Sequence, residues 1–407
     1  MRWIPFVIVL LLLEWYAFQA IKTTTQNKGW WVFYGLMVLL LLGNFFWQIF
    51  TFDRSVGWSP GVAYSIGFFI ALITAQLVLI TLLFFEDISR VILGFYSRFS
   101  SEQKFHFPER RKFISQWALV LGAIPFSSLL YGMYKGRYNY RVLRYTLEYD
   151  ALPDSFDGFQ ITQISDLHCG SFDNPEKVAY GMSLIKEQNS DLLLFTGDLV
   201  NNKSSEARPW VSSLAEINAP YGKFSVLGNH DYGDYSDWES QAEKQQNMEN
   251  MYQIHREMGF DLLLNESRYI EKNGEKLAII GVENWGAGRF KKAGDLEKSI
   301  EKIRSEDFKI LLSHDPSHWE AEVLPHPHPF HLTLSGHTHG FQFGIEIPGW
   351  IKWSPVQWQY KQWAGIYEKQ EQKLNVNRGF GYLAYPGRVG IWPEITVIIL
   401  KKKKLLV

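Results

Sequence analysis

Five short polar clusters, each set where an apolar run stops, carry residue types that bind metals and move protons. They are Ile164-Ser-Asp-Leu-His168, Phe195-Thr-Gly-Asp198, Leu227-Gly-Asn-His-Asp231, Leu311-Leu-Ser-His314 and Leu334-Ser-Gly-His-Thr-His-Gly340. Together they offer Asp166, His168, Asp198, Asn229, His230, His314, His337 and His339. Carboxylate, amide and imidazole donors without thiolate suit divalent Mn, Fe or Zn, not a structural cysteine zinc site. Asp166 and His168, two apart on an extended segment, would face one ion from the same side. His337 and His339 share that spacing, and each can serve a different ion. A carboxylate such as Asp198 can bridge two cations and lower their repulsion. Two ions roughly 3.5–4 Å apart would activate a water and stabilise both oxygens of an in-line displacement at phosphorus. One Asp-x-His or Gly-Asp alone is an ordinary turn or helix cap; five of them at strand ends are not.

The elements that must position these donors are short and apolar. Residues 160–165, 191–196, 224–227, 309–313 and 331–335 are rich in Val, Ile, Leu or Phe and read as buried strands of a layered α/β domain. Ligands of open α/β sheets bind beyond the carboxyl ends of the strands, so donors far apart in sequence converge on one rim. Glycines at 197, 228 and 336 let the chain turn tightly beside them. Between the strands, residues 175–188 predict a helix with Asn174 as its cap and Pro175 in its first turn. Residues 237–258 predict a surface helix and 296–304 a shorter one. Residues 268–283 predict a hairpin turning at Asn273-Gly274.

In this order the motifs D-x-H, G-D, G-N-H-D, H and G-H-x-H resemble the calcineurin-like metallophosphoesterase superfamily, over roughly residues 144–400. The resemblance implies an α/β fold, a four-layer αββα metallophosphoesterase sandwich. It implies two divalent metal ions, the first held by Asp166, His168 and His339, the second by Asn229, His314 and His337, with Asp198 bridging. It further implies a bridging hydroxide as nucleophile and His230, oriented by a carboxylate such as Asp166, as the acid that protonates the leaving alkoxide. The Ser-Asp-Leu-His and Gly-His-Thr-His-Gly wording is similar to a membrane-associated branch, in which a second glycine is usual where Phe341 stands. Asn377–Gly381 and Trp392–Leu400 also resemble that branch. Arg378 and Arg388 are candidates for phosphate contact or for ordinary loop residues, and the substrate-binding residues stay open.

The rest of the 407-residue chain says where this chemistry is kept. Residues 1–135 are dominated by apolar stretches, at about 3–21, 30–50, 61–85 and 114–133. Each approaches the roughly 20 residues that cross about 30 Å of hydrocarbon as a helix, so the sandwich is expected to follow an all-α transmembrane region of four helices. Trp30, Trp31, Trp47 and Phe50 sit at segment ends, as an interfacial belt does. Glu14, inside the first stretch, predicts a helix–helix contact or a proton path. Loop 86–113 carries Arg90, Arg98, Lys104, Arg110, Arg111 and Lys112 and is placed in the cytoplasm by the positive-inside rule, against Lys135, Arg137, Arg141 and Arg144 after the last stretch. Glu109–Ile114 also resembles a twin-arginine export signal. The expected arrangement is a multi-pass cell-membrane protein with an extracytoplasmic catalytic domain.

Net charge is −1, from 41 basic and 42 acidic residues, and no basic stripe suggests nucleic acid as a partner. The single cysteine, Cys169, excludes an intrachain disulfide. His318, His326, His328 and His331 lie near the fourth cluster, where the His-Pro alternation reads more simply as a rigid loop. The aromatic stretch 341–363 reads equally as a membrane-interface element or as rings packed on the sheet. Lys401–Lys404 reads as a solvated end. The expected function is hydrolysis of a phosphomonoester or phosphodiester, lipid-linked esters included, with the lipid bilayer as partner; the rival is a membrane sensor or scaffold with a non-catalytic phosphoesterase fold.

Overall fold

The computed structural model describes residues 3–55, 57, 59–99, 108–347 and 349–403. Lys104, in the basic loop, and Lys404, in the terminal lysine run, lie outside the described residues. Two compact units emerge: residues 1–52 with 61–134, and residues 53–60 with 135–407.

The first unit is helical: α1 (Ile4–Thr24), α2 (Lys28–Phe50), α3 (Pro60–Phe99) and α4 (Pro108–Tyr134). All four are long and apolar enough to cross a membrane. Each has an apolar window with at most two charged residues, which suits lipid on one side and helices on the other. Asn27 starts α2 by accepting a hydrogen bond from Gly29 N at 2.8 Å. Glu14 accepts a hydrogen bond from Tyr34 on α2, and Gln76 on α3 donates to the same hydroxyl, so the acid of the first stretch is a helix–helix contact. The structure departs from the sequence reading at α3. Its 40 residues span about 60 Å, roughly twice the hydrocarbon thickness, so the charged stretch from Glu86 to Phe99 continues the helix where a loop was expected. Glu86 and Asp87 are paired there with Arg111 at 2.6 and 2.9 Å, and Glu86 with Arg110 at 3.4 Å. The twin arginines thus serve as the ion pairs that hold the start of α4 to α3.

The second unit is built on two mixed six-stranded sheets. The first contains β1 (Arg141–Tyr149), β2 (Gln160–Ile164), β3 (Leu192–Phe195), β4 (Lys223–Ser225), β5 (Asp261–Leu262) and, between β1 and β2, the last strand, β14 (Glu394–Lys402). The second contains β6 (Glu266–Lys272), β7 (Glu275–Gly281), β8 (Phe308–Leu312), β9 (Leu332–Ser335), β12 (Gly365–Lys369) and β13 (Gln372–Val376). A small hairpin of β10 (Ile345–Ile347) and β11 (Ile351–Trp353) stands apart from both. Flanking helices are α5 (Pro175–Lys186), α6 (Val211–Ala215), α7 (Gln241–Glu257) and α8 (Leu296–Ile300). Asn174 caps α5 through Lys177 N, with Pro175 in the first turn. The β6–β7 hairpin turns at Asn273 and Gly274, both at positive φ, as its Asn-Gly pair requires.

Period-two alternation sorts the side chains into layers. Leu192 and Leu194 of β3 face inward with Ile310 and Leu312 of β8, filling the space between the sheets. Leu193 and Phe195 face outward onto α5 and α7 through Met182, Met251 and Ile254. On the far side Leu311 packs with Trp319, Leu296 and Ile300. The result is the four-layer αββα sandwich expected from the motifs. Buried amides lock the sheets together: Gln163 on β2 donates to the Ser335 carbonyl at 2.9 Å and accepts from Asn375 on β13 at 2.7 Å. Because β2, β3 and β4 are parallel neighbours, as are β8 and β9, their carboxyl ends meet on one rim.

His255 on α7 is fully buried against Phe195 and Phe260, with only Ser225 Oγ, 2.9 Å away, as a polar partner. Burial pushes its pKa down to about 3. The unfolded chain therefore takes up a proton below about pH 6.5 that the folded chain refuses. The stability supplied by this neutral ring is whole above that pH and is lost as pH falls toward 3, by about 1.4 kcal/mol per pH unit. His255→Leu should flatten the decline of the thermal unfolding midpoint between pH 7 and pH 5. A decline as steep as the parent's would show that this ring does not carry it.

Candidate metal centre

The residues after the strands do not continue as extended chain. Asp166, His168, Asp198, His337 and His339 all lie in the left-handed region, with φ between 48° and 71°. Such conformations cost of order 1–3 kcal/mol each for residues with a Cβ and persist only where surroundings hold them. Here neighbouring turns do: Asp166 N donates to Gly197 O at 2.9 Å, His168 N to Asp198 O at 3.1 Å and Gly336 N to His314 O at 3.0 Å. Asp166 and His168 thus turn to one side through consecutive tight turns, and not through the alternation of an extended strand. Gly197, at φ 93°, and Gly228 let the second and third turns touch: a Cβ on Gly228 would lie 2.2 Å from Asp198 Oδ1.

These turns gather two groups of ligand atoms, Asp166 with His168 and His339, and Asp198 with His314 and His337. His168 Nε2 lies 3.0 Å from His339 Nε2, which is 3.1 Å from Asp166 Oδ1. His337 Nδ1 lies 3.3 Å from His314 Nε2, which is 3.2 Å from Asp198 Oδ2. The same Oδ2 is 3.6 Å from His168 Nε2, so Asp198 stands between the groups. Asn229 adds a buried Oδ1 with no hydrogen-bond partner, its Nδ2 being bonded to Tyr235. Ring nitrogens facing one another around buried carboxylates, with an orphaned amide oxygen beside them, fit cations between them.

The buried carboxylates and rings also shift one another's protonation. Burial alone would raise the Asp166 and Asp198 carboxyls, but His339 and His314 respectively outweigh it and hold both well below the ordinary range. Asp198 in turn overcomes burial at His314 and raises it to about 10, whereas burial keeps His337 down at about 4 and His168 well below its usual value. Both oxygens of Asp166 also accept from His337 N at 3.0 Å. Outer partners orient the rings: His314 Nδ1 donates to Thr196 O at 2.7 Å, and His337 Nε2 meets the Tyr360 hydroxyl at 2.8 Å.

His230 stands beside the groups, half-buried, with Nδ1 donating to Asn201 O at 2.7 Å. Asp166 does not orient it, because its oxygens are engaged by His337 and His339. A carbonyl serves instead, and it leaves His230 Nε2 as the free nitrogen. Asp231, next in sequence, collects the N–H groups of Asp198, Leu199, Val200 and Gly228 and so ties the second turn to the third; burial and Asp198 raise it to about 7.

Other candidates fall elsewhere. Arg378 and Arg388 are neither phosphate contacts nor surface residues: Arg378 is buried between Glu394 and Glu346, and Arg388 is bonded to the carbonyls of Arg378, Gly379 and Gly381. Arg388 Nη2 lies 3.2 Å from His339 Nδ1, so its charge sits behind the first group. His318, His326, His328 and His331 join neither group; His318 bonds Ser313 and Glu322, and His331 accepts from Lys309 N. Cys169 is buried and its thiol is pushed well up by burial, so it is unreactive. The aromatic stretch divides: Tyr360 and Trp363 are packed inside, while Phe341, Trp350 and Trp358 are exposed. Tyr360 and Tyr235 are the contacts that motif reading missed, since neither lies in a recognisable cluster.

Comparison with known proteins agrees with this geometry. Residues 1–137 match the family described as probable calcineurin-like phosphoesterase, transmembrane domain, and residues 159–341 match the calcineurin-like phosphoesterase family. The chain is 30% identical to the uncharacterized metallophosphoesterase YkuE of Bacillus subtilis, over 72% of this chain and 97% of that protein. It is 25% identical to the transmembrane protein with metallophosphoesterase domain of Danio rerio, over 93% of this chain and 82% of that one. Among solved structures, a phosphopantetheinyl hydrolase of Mycobacterium tuberculosis is similar at 12% identity and a TM-score of 0.34, covering 54% of this chain and 89% of that chain, too loose a likeness to inform function.

A Cβ on Gly336 would lie 1.9 Å from Ser165 Oγ and 2.2 Å from Asp166 Oδ2. Gly336→Ala should therefore displace Asp166 and lower the bound metal measured by elemental analysis, with the fold intact by circular dichroism. Tyr360→Phe removes only the outer partner of His337 and should weaken metal binding by about 10–100-fold. Unchanged metal content in both variants would contradict the assignment.

Proposed function

This chain belongs to the calcineurin-like phosphoesterase family, and we propose that it is a membrane-anchored hydrolase of phosphomonoesters or phosphodiesters, lipid-linked esters among them. The observation that carries the reading is the convergence of Asp166, His168, His339, Asp198, Asn229, His314 and His337 on one rim, with His230 Nε2 free beside them. Asp166, His168 and His339 would hold one divalent ion and Asn229, His314 and His337 a second, with Asp198 shared. Two such ions, of Mn, Fe or Zn, supply the Lewis acidity that polarises a phosphoryl group and lowers the pKa of an attacking water.

The chain's own residues do the rest. Arg388, its pKa lowered by burial to about 10, stays cationic at neutral pH and offsets the carboxylates from behind. Asn201 O fixes the His230 ring by accepting from Nδ1, which leaves Nε2 to deliver a proton to the departing alkoxide. Tyr235, with its ring 4.5 Å from His230 and its hydroxyl on Asn229, holds both residues in place.

The catalytic unit is placed on the extracytoplasmic face. The proposal rests on Arg90, Arg98, Arg110, Arg111 and Lys112 at the facing ends of α3 and α4, which the positive-inside rule assigns to the cytoplasm, with the single crossing of α4 between them and the catalytic unit. The segment from Asp53 to Pro60, between α2 and α3, is on the catalytic side by the same count. It belongs to the catalytic unit, where Ser236 Oγ donates to Arg54 O at 3.2 Å. The basic residues after α4 weigh less than their number: Arg137 is buried and paired with Asp173 at 3.0 Å.

Stripped protein refilled with Mn, Fe or Zn should hydrolyse p-nitrophenyl phosphate or its bis ester. Asp198→Asn should abolish turnover and metal retention together. His230→Gln should keep the metal while kcat falls by about 10²–10⁴-fold. Retained turnover in Asp198→Asn sinks the reading. Protease added to intact cells should cut the exposed catalytic loops; protection there with cleavage in inverted vesicles would reverse the orientation.

A further inference from the structure

The β10–β11 hairpin is inside out. Its register pairs Ile345 with Trp353 and Ile347 with Ile351, so these four share one face and Glu346 and Lys352 share the other. The polar face bonds back to the domain: Glu346 pairs with buried Arg378, and Lys352 Nζ donates to Ala364 O and lies over the Trp363 and Tyr367 rings. On the apolar face Ile345 is 51% and Ile347 43% exposed, while Ile351 and Trp353 across from them are half-buried and Lys352 keeps part of its length in solvent. Trp350 near the tip is 76% exposed, and Trp358, packed edge-on against Trp353, is 78% exposed. Phe341 continues the surface at 54% exposure, held at φ 53°, where a bulky residue is strained and a glycine is not. A soluble domain turns such a hairpin the other way.

The occupant of this face follows from where the chain enters the domain. The unit begins at Lys135, the residue after α4 ends. Gly136 is packed so tightly on the 388–392 segment that a Cβ would lie 2.1 Å from Arg388 O. The hairpin stem grips the same segment, Gly344 N donating to Val389 O at 2.9 Å and Val389 N to Gln342 O at 2.8 Å. The first residues of the unit and the hairpin stem thus flank one short piece of backbone. We infer that the exposed apolar side chains of the β10–β11 hairpin, with Phe341, Trp350 and Trp358, dock in the lipid interface of a phospholipid bilayer. Tryptophan and isoleucine suit that boundary of headgroup and acyl chain.

The consequence rests on the phosphoesterase reading. Ser354 Oγ donates to Gly340 O at 2.8 Å, Thr338 Oγ1 to Trp363 O at 2.7 Å, and Tyr360 holds His337. The segment that follows the hairpin therefore braces both terminal histidines, and docking holds the metal centre at headgroup level, within reach of phosphate esters in the leaflet.

The test uses the full chain in nanodiscs of phosphatidylethanolamine and phosphatidylglycerol. Trp350→Cys carries a nitroxide, Cys169 being buried, and Tyr180→Cys on α5 is the exposed control. The ratio of oxygen to nickel-chelate accessibility should be about tenfold higher at 350 than at 180, as for an interfacial site. Trp358→Cys repeats the measurement if the first variant does not fold. Equal ratios overturn the inference. Turnover of p-nitrophenyl phosphate by the labelled chain is read separately: a lipid-depth label without turnover counts against the catalytic reading alone, and an aqueous label with turnover against docking alone.

Discussion

Asp198 Oδ2 lies within 3.2 Å of His314 Nε2 and 3.6 Å of His168 Nε2, so this one oxygen faces a ring of each candidate ligand group. That placement requires the second, first and fourth turns of the rim to meet within a few ångströms. Glycine at 197, 228 and 336 is what lets their backbones approach so closely, since a Cβ at any of them would overlap a neighbouring turn. The left-handed conformations of five ligands are the local cost of that convergence. It is offset by hydrogen bonds between the turns and by Asp231, which collects four backbone N–H groups beneath them.

The sandwich around the rim is organised to keep this geometry. Sheet-to-sheet registry comes from interdigitated apolar side chains reinforced by the Gln163–Asn375–Ser335 amide contacts, so the ends of β2–β4 and of β8–β9 are held opposite each other. Arg388 and Arg378 form a buried cationic layer behind His339. Through Glu346 this layer runs out to the hairpin. Elements that are separate in sequence, a strand-end histidine, a late arginine and an exposed hairpin, thereby act on one site.

The membrane unit follows different rules. In lipid the helices gain little from apolar burial, and the polar contacts among them fix which faces meet. Tyr34 with Glu14 and Gln76, and Glu86 and Asp87 with Arg110 and Arg111, are such contacts. The arginines that resemble an export signal in a linear reading also pair α4 with α3, in a stretch read there as a loop.

The sequence by itself determined the kind of chemistry and the order of the elements. Short apolar runs ending at Gly, Asp or His mark strands and the clusters that follow them, and Asn174-Pro175 and Asn273-Gly274 mark a helix start and a turn, because these signals are local. The apolar stretches mark four helices for the same reason. Tertiary structure alone decided what depends on approach through space. It directed Asp166 to the backbone of His337 and left His230 to the carbonyl of Asn201. It drew Tyr360 onto His337 across an aromatic stretch, buried two arginines that sequence position left open between phosphate contact and ordinary loop residue, and carried α3 past its apolar segment. Partner choice in a packed interior is set by which atoms arrive together, and linear spacing carries no record of that.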